Sequence, residues 1–268
     1  MNPEKEAATP DFEARKREFF TNIGISVRQA LKEHSKGGLW DRETGSSKRS
    51  WGNVSEHCLV EVARSSVLAE ALNLPGEIQT QLITAAAVHD AFKKREKEIA
   101  SAANLSWDGF EQASTEFKKQ LQEAGFDETV IGLAHSVGHG SLLAMEEILA
   151  KDELTPEDIA TLAMHYIDDY TLGSGWTTPV ETRENGERIN NLDKRIDSTE
   201  LNPRYALLNE EGRQHLHGES SFEAQRRIGH LVEQRIAALL AERSGQTVDP
   251  LELPEWIDQE IRQRINNP

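Results

Sequence analysis

Residues 76–99 read GEIQTQLITAAAVHDAFKKREKEI, and this stretch decides the fold class. Pro75 precedes it, and its apolar residues recur at helical spacing, so we predict one helix opened by Pro75. Three consecutive alanines, at positions 85–87, would let a neighbouring helix come close. The apolar part ends in His89 and Asp90, two ionisable residues that are costly to bury without a partner. The stretch therefore predicts a buried helix with polar chemistry at its end.

Further helical patterns extend over most of the chain on both sides of this stretch. The other predicted helices cover residues 11–33, 53–72, 107–123, 127–149, 156–171, 222–243 and 251–266. Asn53 or Ser55 is expected to cap the second of these, and Thr155, followed by Pro156, to cap the helix over 156–171. The sequence contains no alternating strand pattern, internal repeat or low-complexity tract. These features favour an all-α fold.

Three parts of the chain are expected to form a single domain. Residues 1–48 comprise a leader and an N-terminal helix, and residues 49–172 form the helical core. Residues 173–268 hold an irregular segment and then C-terminal helices that pack on the same domain. The irregular segment, 173–221, has no sustained period, so we expect it to be a lid, a partner surface or disordered.

The composition of the 268 residues limits the classes of partner. A formal net charge of −16 repels long nucleic acid, although a local basic pocket can still hold a small anionic substrate, because screening acts over about 8 Å. Cys58 is the single cysteine, so an internal disulfide is excluded. No apolar run approaches the roughly 20 residues of a membrane span, and we expect a cytoplasmic protein. This composition is also compatible with a homo-oligomer.

Four residues of metal-ligand type occur in helical context, namely His57, His89, Asp90 and Asp168. Imidazole nitrogens and carboxylate oxygens together suit divalent Mn, Fe, Co, Ni, Zn or Mg. Each residue also has an ordinary interpretation, since a helical histidine is usually a surface or satisfied core residue, and Asp168 and Asp169 can be a solvated helix end. A bound cation would supply the partner that buried His89 and Asp90 need.

Three stretches carry a resemblance to the HD superfamily of metal-dependent phosphohydrolases. RSWGNVSEHCLVEVARSSVLAEAL, residues 49–72, resembles the first motif of bacterial 5′-deoxynucleotidases in this superfamily. HDAFKK, residues 89–94, is similar to the H-D-x-x-K form, and HYIDDYT, residues 165–171, resembles the segment with the last aspartate. The resemblance implies an HD-domain helical bundle, here with an additional N-terminal helix and C-terminal helices.

This resemblance also implies roles for individual residues. His57, His89, Asp90 and Asp168 would hold the ion, and Arg49 would contact the substrate. The nucleotidases have a glutamate three residues after the HD aspartate, whereas this chain has Lys93. Lysine at this place is typical of HD-GYP cyclic-dinucleotide phosphodiesterases and of di-iron oxygenases with the same fold. Lys93, with Lys94, becomes a candidate to hold a phosphate or carboxylate oxygen, and Asp90 and Lys93 are the predicted catalytic residues.

Additional histidines raise the prospect of one or two metal ions per chain. His135 and His139 are four residues apart, a spacing that places two imidazoles on one helix face, and His165 lies three residues before Asp168. Superfamily members with two metals use extra histidines in this region, with Asp90 then bridging the ions. The alternative is that His135 and His139 cap glycine-rich helix turns.

The resulting hypothesis is hydrolysis of a phosphoester in a nucleotide or another small phosphorylated metabolite, through a metal-activated water. An HD-fold di-iron oxygenase is the second hypothesis, and a non-catalytic HD module that senses a nucleotide is the third. Arg183, Arg188 and Arg195 in the irregular segment are candidates to close over an anion, or they are ordinary surface charges.

Overall fold

The computed structural model describes residues 25–39 and 51–266, and these two ranges are predominantly α-helical. The α-helices within them are α1 Ile25–Lys36, α2 Gly52–Ala71, α3 Gly76–Val88, α4 Lys93–Ala102, α5 Trp107–Glu123, α6 Glu128–Ala134, α7 Leu142–Leu149, α8 Pro156–Tyr170, α9 Asn191–Glu200, α10 Ala206–His215, α11 Ser221–Ser244 and α12 Leu253–Asn266. The predicted all-α fold class is confirmed.

Shorter elements join some of these helices. Single 3₁₀ turns cover His139–Ser141, Pro203–Tyr205 and Pro250–Glu252. Strands β1, Glu181–Thr182, and β2, Arg188–Ile189, form a two-residue antiparallel hairpin. Within the described ranges, this hairpin is the whole of the β-structure.

Helix α3 lies at the centre of the bundle, where it contacts α1, α2, α6 and α8. The alanines at 85–87 are buried, and their small side chains allow this close packing. Gly37, which follows α1, approaches the Ala91 carbonyl so closely that a Cβ there would lie 2.5 Å from the oxygen. The C-terminal end of α3 is therefore held inside the protein.

The C-terminal helices complete the same core. Helix α11 contacts α7, α8, α9 and α10, and α12 contacts α2. One cluster of buried apolar side chains extends from Val27 in α1 to Ile257 in α12. No helix in the described part of the chain has the length and apolar character needed to cross a membrane.

The predicted single helix over 76–99 is wrong, because the chain turns at the HD pair. Helix α3 ends at Val88, and turn bonds then form from the Ala91 amide to the Val88 carbonyl and from the Lys93 amide to the Asp90 carbonyl. The Phe92 ring packs edge-on against Phe117 of α5, which holds the redirected chain. The break places His89 and Asp90 at a helix end rather than mid-helix.

Two other helix predictions need correction at their ends. Trp51 is the N-cap of α2 without a side-chain cap bond, and Asn53 and Ser55 lie inside the helix. The predicted helix 127–149 is two helices, since Gly138 has a φ of 80° between α6 and α7. Thr155 does cap α8, in a reciprocal capping box with Asp158, as the sequence indicates.

The segment 173–221, expected to be irregular, contains the β-hairpin and helices α9 and α10. Asn190 caps α9 through a capping box with Asp193. This pair is visible in the sequence, but apolar periodicity alone does not reveal it. Residues 11–24 of the predicted N-terminal helix lie outside the described residues.

Candidate metal centre

Four side chains from three helices converge in the interior. His57 and Glu61 come from α2, His89 follows the last residue of α3, and Asp168 comes from α8. Each offers one ligand atom, and these atoms all lie within 4.8 Å of one another. His57 is partly exposed, and the other three residues are buried. This group, called the metal cluster below, can hold a metal ion.

Local structure explains the convergence. His57 and Glu61 are four residues apart on α2, so their side chains share one helix face. Helix α2 contacts both α3 and α8. The turn after α3 keeps His89 at the junction of these helices, and Asp168 lies in the last turn of α8.

The atoms in the metal cluster lie at ion-pair distances from one another. His57 Nε2 is 2.9 Å from Glu61 Oε1 and 3.5 Å from Asp168 Oδ1. His89 Nε2 is 3.6 Å from the same Asp168 oxygen, and His89 Nδ1 is 3.2 Å from Glu61 Oε2. Asp168 Oδ1 therefore faces the Nε2 atoms of both imidazoles.

Backbone carbonyls orient both histidines. His57 Nδ1 donates to the Gly173 carbonyl at 3.0 Å, and His89 Nδ1 donates to the Ala86 carbonyl at 3.0 Å. A carbonyl oxygen only accepts, so these bonds assign the proton to Nδ1 in each ring. Nε2 is then the atom with the free lone pair, as is usual where a second-shell carbonyl fixes a metal-binding imidazole.

Unsatisfied buried atoms test whether a cation fits this place. Both carboxylate oxygens of Glu61 and His89 Nε2 are buried without a hydrogen-bond partner. Leaving such atoms unpaired costs about 1–3 kcal/mol each, and more for a charged group. All three are electron-pair donors, and a cation would satisfy them together. The donor set of two nitrogens and two carboxylates suits a borderline or hard divalent ion.

The acidic neighbours shift the titration of the histidines. Burial lowers the pKa of His57, but the negative charge of Glu61 and the close approach of the Asp168 and Glu61 carboxylates outweigh it and raise the pKa to about 10. Burial also lowers the pKa of His89, and Glu61 with Cys58 and Asp90 raises it well above its usual value. The carboxylates of the metal cluster therefore favour positive charge at the place where the two imidazoles face them, and a bound cation would supply that charge in place of protons.

Asp90 and Lys93 lie beside the metal cluster. Asp90 Oδ2 is 3.8 Å from His89 Nε2, while Asp90 Oδ1 accepts from Lys93 Nζ at 2.7 Å. Burial raises the pKa of Asp90, but Lys93 and the nearby histidines outweigh this effect and lower it. The Lys93 side chain is 37% exposed, so it lies at the boundary between the buried cluster and solvent.

Arg195 reaches the cluster from α9, in the segment expected to be irregular. Its Nη2 is 3.2 Å from Asp168 Oδ1, and its Nη1 donates to the Thr171 carbonyl at 3.2 Å. Burial raises the pKa of Asp168, but the positive charge of Arg195 and the close approach of His57 and His89 hold it well below its usual value. Arg183 and Arg188 instead pair with carboxylates elsewhere.

Several other predicted site residues lie apart from this group. Arg49 is outside the described residues. Lys94 lines a separate surface cavity of about 590 Å³, together with Lys36 and Arg95. His135 Nε2 is hydrogen-bonded to Ser114 Oγ at 2.6 Å. The helix face expected for the two histidines of HSVGH does not form, because α6 ends at Ala134.

His139 and His165 occupy a buried region next to Asp168. His165 Nδ1 donates to the Ser136 carbonyl at 2.9 Å, and His165 Nε2 lies 3.2 Å from Asp169 Oδ2. Burial lowers the pKa of His139 to about 4, partly against the charge of Asp169. His139 Nδ1, His165 Nε2 and Asp169 Oδ2 have no hydrogen-bond partner. Metal ligation by His139 stays a prediction.

Glu61 is the site residue that sequence reasoning missed. The signal was present, because Glu61 stands four residues after His57 in the stretch HCLVE and shares its helix face. Glu61 is buried, and a buried carboxylate carries the same desolvation argument as the HD pair.

Comparisons with known proteins found no matching family model, curated protein or solved structure. The resemblance to the HD superfamily therefore depends on the quoted motifs, and the case for a metal site depends on the geometry of the metal cluster.

Proposed function

We propose that this chain is a metal-dependent phosphohydrolase that acts on a phosphoester of a nucleotide or another small phosphorylated metabolite. The observation that carries the proposal is the metal cluster with its unpaired donors, beside a partly exposed lysine. His57, Glu61, His89 and Asp168 would hold the ion, and Asp90, 3.8 Å from His89, would complete its environment. When bound, a divalent ion supplies Lewis acidity that activates water and neutralises phosphate charge.

Charge balance supports an anionic substrate. Glu61, Asp90 and Asp168 contribute three carboxylates, and Lys93 and Arg195 contribute two permanent cations. With both histidines neutral, the group has a surplus of one negative charge, and a divalent cation would turn that into one positive charge. A local positive potential attracts phosphate even in a chain of net charge −16, because screening limits the reach of distant charges.

The side chains of the site have distinct roles in this proposal. Lys93 would hold a phosphate oxygen as a point charge, since its ammonium is already fixed by Asp90 at 2.7 Å and its side chain is partly exposed. Arg195 would hold Asp168 in place through its 3.2 Å ion pair. The Gly173 and Ala86 carbonyls accept from Nδ1 of His57 and His89, which keeps each Nε2 unprotonated and facing the metal cluster.

A metal and activity screen with one matched pair of variants tests this proposal. We expect purified protein to bind Mn²⁺, Fe²⁺, Co²⁺, Ni²⁺, Zn²⁺ or Mg²⁺ and to hydrolyse phosphorylated metabolites, measured by phosphate release. Asp168→Ala should lose bound metal and lower turnover at least about 100-fold. Asp152→Ala, at an exposed loop acid, should change neither. Full activity in Asp168→Ala, or no hydrolysis by wild type with any of these ions, would reject the proposal.

A di-iron oxygenase is the second candidate function. The observation that favours it is that His139 Nδ1, His165 Nε2 and Asp169 Oδ2 are buried without a hydrogen-bond partner, and that Asp168 and Asp169 are among the charges that act on His139. A second ion there would make the centre dinuclear. Two irons per chain together with oxygen consumption would select this function, whereas phosphate release with one ion per chain would select hydrolysis.

A further inference from the structure

A carboxyl group with no assigned role lies beside Lys93, the lysine that pairs with Asp90 next to the metal cluster. Glu96 Oε2 is 3.8 Å from Lys93 Nζ, and Lys93 Nζ is 2.7 Å from Asp90 Oδ1. Glu96 Oε1 is buried without a hydrogen-bond partner, although the Glu96 side chain is 21% exposed as a whole. The partly exposed Glu96 side chain therefore adjoins a proposed phosphate-binding lysine, and one of its two carboxyl oxygens forms no hydrogen bond.

We propose that Glu96 is the general acid of the hydrolysis, donating its proton to the oxygen of the leaving group. This inference rests on the proposed function. Water attacks phosphorus and forms the new P–O bond, and the bond from phosphorus to the leaving oxygen breaks. The leaving oxygen keeps that electron pair and takes the Glu96 proton. The attacking water releases one proton to solvent, and the Glu96 carboxylate then regains a proton from solvent.

The surroundings of Glu96 favour this role over that of a fixed ion-pair partner. Burial raises its pKa, Lys93 lowers it, and the negative charge of Asp90 raises it again, to a result of about 7. His89 and Asp168 are the other charged groups that act on it, the first lowering and the second raising its pKa. A group with this pKa is protonated in a substantial fraction at neutral pH and can donate efficiently.

Lys93 is unsuited to the same task. Burial lowers its pKa, but Asp90 and Glu96 outweigh that effect and raise it above the usual value for lysine. Its ammonium therefore keeps its proton and contributes charge, while Glu96 contributes the transferable proton. The two side chains are three residues apart on α4 and face the same side of the helix.

The decisive experiment compares two aryl esters that differ in the acidity of their leaving groups. Phenyl phosphate needs a proton on its leaving oxygen, whereas p-nitrophenyl phosphate hardly does. We expect Glu96→Gln to lower kcat for phenyl phosphate by about 100-fold or more, and for p-nitrophenyl phosphate by less than about 10-fold. Bound metal should be unchanged. Wild-type kcat should fall above about pH 7, and this decline should disappear in Glu96→Gln.

Two further variants control the measurement. Glu98→Gln alters an exposed glutamate of α4 that pairs with Arg95, and it should leave both rates unchanged. Glu96→Asp keeps the acid and should retain more phenyl phosphate activity than Glu96→Gln, which separates proton donation from packing. In metal-free protein, infrared titration should reveal a carboxyl group titrating near pH 7 that is missing from Glu96→Gln.

Equal losses with both esters, or no loss with either, would overturn the role of Glu96. If Asp168→Ala still abolishes activity in that case, the phosphohydrolase proposal stands without this acid. If wild type hydrolyses neither ester nor any phosphorylated metabolite, both proposals fail.

Discussion

Two groups of histidines and carboxylates in this protein use the same residue types but are completed in different ways. In the second group, called the paired cluster, His230 Nε2 bonds Asp193 at 3.0 Å and His230 Nδ1 bonds Glu233 at 2.8 Å. Arg226 donates to Asp193, and the Tyr166 hydroxyl donates to Glu233 at 2.8 Å. Among the buried unpaired atoms of the described residues, none belongs to the paired cluster.

In the metal cluster, by contrast, some buried polar atoms have no hydrogen-bond partner. Glu61 has two oxygens and His89 one nitrogen that are buried and unpaired. Residue type and burial alone therefore do not distinguish a metal site from a structural ion-pair network. The completeness of the hydrogen bonding does, because a network that satisfies itself leaves no donor atom for an ion.

The largest expected change in free energy follows from removing one carboxylate charge from the metal cluster. We expect Glu61→Gln, which keeps the size of the side chain, to weaken binding of Mn²⁺ or Zn²⁺ by about 10- to 100-fold, or roughly 1.4–2.7 kcal/mol, in calorimetric titration. Glu70→Gln is the matched control, since Glu70 lies on the same helix but is exposed and pairs with Arg264. Unchanged affinity in Glu61→Gln would remove Glu61 from the site.

The free energy of unfolding, measured as a function of pH, should show that His230 in the paired cluster is protonated. Burial lowers the pKa of His230, but hydrogen bonds with Asp193 and Glu233 outweigh it and raise the pKa to about 9. A raised histidine pKa stabilises the fold fully below the unfolded value of about 6.5, and this contribution is lost as the pH rises through about 9.

We therefore expect wild type to exceed His230→Gln in free energy of unfolding by up to about 2 kcal/mol near pH 6, with little of this difference left above pH 9. Urea denaturation at several pH values measures it, and bound metal should be equal in the two proteins. A difference that stays constant with pH would contradict the assigned protonation of His230.

Removing a single hydroxyl group should give the smallest change in the free energy of unfolding. Tyr166→Phe removes the donor to Glu233 from helix α8, two residues before Asp168. Asn190 still donates to the same oxygen, so we expect a loss of about 1 kcal/mol in the free energy of unfolding. Metal affinity should be unaltered, and a fall of about 10-fold would indicate that the two clusters are coupled through α8.

The sequence predicts much of the helical framework but not its interruptions. Apolar periodicity indicates the helices up to Tyr170 and the two C-terminal ones, and the Thr155 cap is where the sequence places it. The breaks at Asp90 and Gly138 depend on turn bonds and on rings packed from other helices, which periodicity does not encode. The helices within 173–221 are short, with ten residues each, and contain few apolar residues, so a search along the sequence for apolar runs does not single them out.

By itself the sequence determined the all-α class, through helical spacing of apolar residues, and drew attention to His57, His89 and Asp168, because ionisable residues in apolar helices need partners. The tertiary structure decided which carboxylates face these groups. Glu61 joins them from the same helix face, Arg195 reaches Asp168 from 27 residues further along the chain, and His135 is bonded elsewhere. Helix packing sets these distances, and spacing along a chain does not contain them.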